Sequence, residues 1–236
     1  MKKILTVLKL QSLCLSLLAG IGLMLSGCTY PKINQFDPVT ARARFSEPIL
    51  LIPPLNPNVE MVKPMKILGQ FYLSAINNRI NNQLTYAGNI ESLEKTIMPE
   101  NMIINGMVNI KEAAGIARTL GCNSVITIRV HEFKQYPPFR IVLEMQWIDA
   151  QTGNNLSRLY QIVDMTDAET DYRFSSYVGD GPARYAYEQF AYYKGLSETA
   201  SLQPAVFLNF TAFYSTKILF DQIEDSTFSW RFWYLL

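Results

Sequence analysis

The chain has 236 residues, 49% of them hydrophobic and 17% charged, which fits one folded domain or two at most. Lysine plus arginine number 21 and aspartate plus glutamate 20, so there is no basic surplus to displace the counterions of a nucleic acid. Three cysteines exclude a dense disulfide framework, and a single histidine excludes a histidine-rich metal site and supplies a catalytic triad poorly.

Lys2, Lys3 and Lys9 make a positive start without acids. An apolar stretch from Leu10 to Leu25 follows and ends in Leu25-Ser26-Gly27-Cys28. The run is marginal for a bilayer span of about 20 residues. The pattern resembles a bacterial lipoprotein signal, in which small residues fit the peptidase cleft and the cysteine thiol accepts the acyl group. The resemblance implies that residues 1–27 are a signal peptide, and that Cys28 becomes the lipidated N-terminus, carrying chains such as palmitate. Thr29, in place of an aspartate, points to the outer membrane under the enteric sorting rule. Loss of three lysines and no acid turns a net charge of +1 into −2. Cys14 leaves with the signal and Cys28 is acylated, so Cys122 remains as the free thiol.

Residues 28–46 hold Pro31, Asn34, Asp37 and Pro38 with no apolar period, and read as a lipidated tether. Residues 47–236 read as a single α/β periplasmic domain. Ile49 to Ile52, stopped by Pro53-Pro54, fits a buried strand. From Pro64 to about Tyr86 the spacing of Ile67, Leu68, Phe71, Tyr72, Ala75, Ile76, Ile80 and Leu84 predicts a helix, with Gly88 to stop it. A short strand is expected around Ile90 to Leu93. Asn109 and Glu112 form a capping-box pattern, opening a small-faced helix that ends at Gly121. Ser124 to Phe133 reads as a strand with Ile126, Ile128 and Val130 on one side, and Arg129, His131 and Phe133 on the other. Phe139 to Trp147 alternates with Arg140, Glu144 and Gln146, the clearest two-residue period in the chain. Asp149 to Gly153 reads as a hairpin loop leading into a third strand, Leu156 to Val163. The class expected is α+β, a mixed α/β layer: a curved sheet with the helices near 64–86 and 110–120 packed on one face.

The strand ending in Pro53-Pro54, the long helix, Ala113-Ala114 to Leu120-Gly121-Cys122, Val125-Ile126-Thr127-Ile128 and the Trp147 to Gly153 hairpin together resemble one family. It is the periplasmic lipoprotein superfamily of the Tol–Pal translocation protein N-terminal domain, the penicillin-binding-protein activator lipoproteins and the curli-secretion lipoprotein. The resemblance covers about residues 46–165. It implies a scaffold, activator or secretion subunit without chemistry of its own.

Candidate chemistry is sparse. His131 lies beside Glu132 without a nucleophile motif, and reads as a sheet-face residue more readily than as a general base. Cys122 follows a helix stop and reads as a buried structural thiol. Asp164, Asp167, Glu169 and Asp171 read as a solvated acidic turn more readily than as a calcium loop. No residue is assigned as catalytic or as a metal ligand, and no cofactor, nucleic acid or small-molecule substrate is expected.

Residues 172–236 hold 18 of the 29 aromatic residues. Tyr185 to Tyr193 suggest one helix after Asp180-Gly181-Pro182, and Pro204 opens another carrying Phe207, Phe210, Phe213 and Phe220. These aromatics make either a core or an interface, and the tail residues Trp230, Phe232, Trp233 and Tyr234 are the candidate partner-binding group. The expected partners are the membrane, through acylated Cys28, and other envelope proteins or a second copy. The functional expectation is a lipid-anchored, periplasm-facing scaffold or assembly factor. The alternative is an envelope hydrolase using carboxylates that the sequence does not single out.

Overall fold

The structure is a computed structural model that describes residues 32–80, 84–179 and 203–233, with backbone alone at 32–35, 59, 179 and 222–233. Among the described residues it contains a six-stranded sheet and six α-helices. The strands are β1 (Lys32–Phe36), β2 (Ile49–Leu51), β3 (Leu84–Tyr86), a small separate pair β4 (Ile103–Ile104) and β5 (Met107–Val108), then β6 (Ser124–Lys134), β7 (Arg140–Asp149) and β8 (Asn155–Asp164). The helices are α1 (Pro38–Phe45), α2 (Val62–Ile80), α3 (Pro99–Met102), α4 (Ile110–Thr119), α5 (Ala168–Gly179) and α6 (Pro204–Trp233). Sheet order is β1-β8-β7-β6-β2-β3. The β6–β7–β8 meander is antiparallel, whereas β2 runs parallel to both β6 and β3.

The alternating period of the strands sorts the side chains onto two faces. Ile49, Leu51, Ile126, Ile128, Val130, Ile141, Leu143, Met145 and Trp147 form the main core with α1, α2, α5 and α6. Leu50, Ile52, Val125 and Ile148 point the other way, into a second core with Ala113, Ile116 and Ala117 of α4. The α+β class and the meander stand as expected from the sequence. The placing of the 110–120 helix on the same face as the long helix does not. Parallel pairing of β2 with β6 requires a crossover, and helices on that crossover are free to cover either face.

Three further expectations are corrected. The stretch read as a tether is folded from Lys32 onward: β1 pairs with β8, and α1 buries Ala41. An edge strand held by main-chain bonds and a helix that buries Ala41 alone leave no apolar period to read. Asp37 caps α1 through its carboxylate, which accepts from the amides of Val39 and Thr40, and Pro38 occupies the first turn. The long helix ends at Ile80, and Leu84, which fits its period, instead pairs with Ile49 in β3. Glu91–Leu93 is a single 3₁₀ turn rather than a strand.

The hairpin turns at Asp149 to Gly153 as expected. Asp149 Oδ1 accepts from the amides of Gln151 and Thr152 at 2.8 Å each, and Gly153 adopts φ +73°. A Cβ there meets no atom within 4 Å, so the constraint is the backbone angle alone. Gly153→Val is expected to lower stability by about 1–3 kcal/mol, measured by urea unfolding, because a β-branched residue resists that angle.

Helix α6 begins at Pro204 as expected, and its part up to Phe220 is core: Phe207, Phe210, Leu219 and Phe220 are buried. Phe207 stacks on Phe139 at 5.3 Å between ring centres, and Phe220 meets Trp147 edge-on at 5.8 Å. Among the described residues no helix is long and apolar enough to cross a membrane. The helix expected over Tyr185 to Tyr193 lies outside the described residues.

Candidate functional site

Helix α4 packs over the second face of the sheet against Val125 and Ile148. Farther along, β6, β7 and β8 carry a polar row on that face. The register sets Thr127 opposite Gln146, Arg129 opposite Glu144, and Tyr160 opposite Glu144 from the other side. A β-bulge between Val130 and Glu132 inserts His131 as an extra residue. The insertion reverses the alternation beyond it, so Phe133 turns into the main core against Phe207 rather than sharing a face with Arg129 and His131.

Glu144 is the centre of this row and is 5% exposed. Its Oε1 accepts from Arg158 Nε at 2.6 Å and from Gln146 Nε2 at 2.7 Å, and its Oε2 lies 3.5 Å from His131 Nε2. Burial pushes the Glu144 carboxyl upward, but the bonds from Gln146 and Arg158, with the Arg158 charge, outweigh it and hold the group below its ordinary value. His131 goes down, first through burial and then through the charge of Arg129, against the pull of Glu144. At neutral pH the pair is therefore a carboxylate beside a neutral imidazole. Tyr160 meets the His131 ring edge-on at 5.8 Å.

Arg129 differs from its neighbours. Both oxygens of the carboxylate opposite it are engaged by Arg158, Gln146 and His131. Its own Nε is fully buried and without a hydrogen-bond partner among the described residues. Thr127 Oγ1 and Gln146 Oε1, adjacent in register, are likewise buried without a partner there. The Asn105–Gly106 turn joining β4 to β5 lies against this guanidinium, a Cβ on Gly106 falling 3.7 Å from Nη2. Ile104 and Met107, which flank the turn, are 52% and 60% exposed.

A second candidate is the cleft between α5 and α6, a cavity of about 420 Å³ walled by Tyr172, Arg173, Tyr177, Phe213, Tyr214 and Lys217. Arg173 lies over the Tyr214 ring at 5.1 Å and pairs with Glu169. Burial pushes the Tyr177 hydroxyl up to about 12.

The residues singled out from sequence are scattered. Cys28 and Tyr234 lie outside the described residues, and for Trp230, Phe232 and Trp233 only the helical backbone at the end of α6 is described. Cys122 is buried in the second core and its thiol is pushed up by desolvation, the opposite of an activated nucleophile. Of the acidic run, Asp164, Asp167 and Glu169 are spent on a turn, a cap and an ion pair. Asp164 accepts from the Thr166 amide, Asp167 caps α5 through Thr170, and Glu169 pairs with Arg173 one turn on. Arg129, Glu144 and Arg158 were not singled out as a site. The signal available was polar residues recurring at one parity of β6, β7 and β8.

No family model and no curated protein matches the chain. Solved structures match in part. PelC from Paraburkholderia phytofirmans, described as a dodecamer, is 10% identical, with a TM-score of 0.35, over 57% of this chain and 80% of that one. Lipoprotein GNA1162 from Neisseria meningitidis is 18% identical, with a TM-score of 0.35, over 50% of this chain and 80% of that one. The C-terminal domain of LpoB from Salmonella enterica is 18% identical, with a TM-score of 0.34, over 50% of this chain and 83% of that one.

Proposed function

We propose that the chain is a lipid-anchored envelope protein of the outer membrane, facing the periplasm, that acts as a scaffold or accessory factor by protein contact. The observation that carries this reading is Leu25-Ser26-Gly27-Cys28 closing an apolar run behind Lys2, Lys3 and Lys9. Acyl chains bury about 0.8 kcal/mol per methylene, so two or three of them make a lasting anchor. The first strand starts at Lys32, four residues beyond Cys28. Four residues reach at most about 14 Å when extended, so lipidation at Cys28 would keep β1 near the bilayer surface.

Contact rather than catalysis is supported by the state of the ionisable row. A general acid needs a carboxyl whose pKa is raised toward the working pH. Glu144 is held the other way by Arg158 and Gln146. Phe207 and Phe220 serve the fold, and the contact role is assigned to the tail residues Trp230, Phe232, Trp233 and Tyr234.

The test is Cys28→Ser with labelling by a palmitate analogue and membrane fractionation. The parent should be shortened, labelled and found with the outer membrane. The variant should keep its 27-residue leader and carry no label. A Cys28→Ser protein that matures and fractionates like the parent sinks the reading.

A further inference from the structure

The carboxylates on the open part of the second face are all engaged. Glu144 holds Arg158 and faces His131, while Glu132 and Asp164 flank Arg140 at 3.6 and 3.4 Å. Arg129 alone among the three arginines of this face has no hydrogen-bond or ion-pair partner among the described residues. A guanidinium is acceptor-seeking at every nitrogen, and leaving one part-buried and unpaired costs stability. Around it lie the side chains that dominate protein contacts. Tyr160 and His131 are on the sheet, and Ile104 and Met107 are exposed on the turn that leans on Arg129.

We infer that this open face, centred on Arg129, is a docking surface for an acidic segment of a partner protein, with Arg129 taking a side-chain carboxylate and Ile104 and Met107 taking a neighbouring apolar residue. The inference rests on the reading that the chain works by protein contact, and it names where and with what chemistry. Charge complementarity selects the occupant: every anion of the face is matched internally, while the part-buried Arg129 and, at the rim, the exposed Lys134 are not, among the described residues. A single carboxylate on a flexible side chain suits a part-buried guanidinium set beside Thr127 and Gln146. A planar anionic lipid surface suits it poorly, because the guanidinium is set back, with its Nε buried and the Asn105–Gly106 turn against it.

The experiment uses the mature chain and a fluorescent, amidated peptide Glu-Leu-Glu-Glu-Leu-Glu. The parent should bind it with an affinity that falls as salt rises. Arg129→Met should weaken binding at least tenfold, while Lys217→Met, in the α5–α6 cleft, should leave it unchanged. Arg129→Met should also unfold at the same urea concentration as the parent or a higher one, since it removes an unpaired charge. A variant that is less stable yet binds the peptide as the parent does makes Arg129 structural and overturns the inference. So does Arg129-dependent binding to phosphatidylglycerol vesicles without binding to the peptide, or Arg129-dependent dimerisation in sedimentation. In cells, a photo-crosslinking residue at Met107 should give a protein adduct that Arg129→Glu abolishes. Adducts at Met107 that persist in Arg129→Glu overturn this surface and leave the contact reading standing. Absence of adducts at Met107, Trp230 and Trp233 alike overturns both.

Discussion

Phe207→Ala should cost about 3–5 kcal/mol, the range for emptying the site of a fully buried aromatic ring. Phe207 is fully buried, and its ring sits 5.3 Å from Phe139 and 6.5 Å from both Phe133 and Phe174. It therefore joins α6 to α5 and to the far ends of β6 and β7. Removing it leaves three rings facing a void that none can fill without leaving its rotamer. For a domain of this size the loss corresponds to a fall in Tm of about 6–20 °C. Phe213, part-buried at the α5–α6 cleft, provides the contrast: its truncation should cost about 1–2 kcal/mol, because water can reach the space vacated. Thermal and urea unfolding of the two variants decide between core and contact surface. Equal, small losses would mean that the first half of α6 is not seated on the sheet.

The long strands were legible in the sequence because β7, and β6 as far as Val130, have one face apolar at every second residue. Phe139, Ile141, Leu143, Met145 and Trp147 run unbroken along β7, and Asp149 with Gly153 supply the chemistry of the turn. The 110–119 helix was legible from Asn109, whose side chain accepts from the Glu112 amide at 3.2 Å. What escaped was information that neighbours carry. Residues 32–45 look like a linker because β1 is an edge strand, held by main-chain bonds to β8 that any sequence without a misplaced proline can make. Leu84 fits the helical period of α2 and is in a strand because Ile49 is there to pair with it. The face covered by α4 depends on the path of a crossover, which hydrophobic spacing does not encode. The candidate site escaped for a different reason. Arg129, Glu144 and Arg158 are about 15 residues apart along the chain, and their meeting depends on the register of three strands. The bulge at His131 hid part of it as well, since it brings onto this face Glu132, which a regular alternation would have placed on the other.

Breaking the link between α1 and the β7–β8 turn should destabilise the domain in a way that depends on pH. Asp149 is 1% exposed, and its Oδ2 accepts from Arg44 Nε at 2.6 Å. Its Oδ1 accepts from Gln151 N, Thr152 N and Thr152 Oγ1. Burial raises the Asp149 carboxyl, but the Thr152 amide and the bond and charge of Arg44 outweigh it, so the folded group sits below its ordinary value. A folded pKa below the unfolded value of about 3.9 contributes stability that is fully present above pH 5, and is lost as the pH falls through the folded value. Asp149→Asn keeps the shape but not the charge, and should cost about 2–4 kcal/mol at pH 7, with Arg44 still able to reach Glu47 at 2.7 Å. Arg44→Met should cost about 2–3 kcal/mol, because it leaves a buried carboxylate with its turn amides but without its cation. Measured by urea unfolding from pH 7 to pH 3, the gap between the parent and Asp149→Asn should narrow below pH 4, as the parent carboxylate itself takes up a proton. A gap that stays constant over that interval would show that the cost is one of turn geometry and not of charge. An Arg44→Met variant as stable as the parent would show that α1 is not fastened to the domain, and that residues 32–45 behave as the tether their composition suggests.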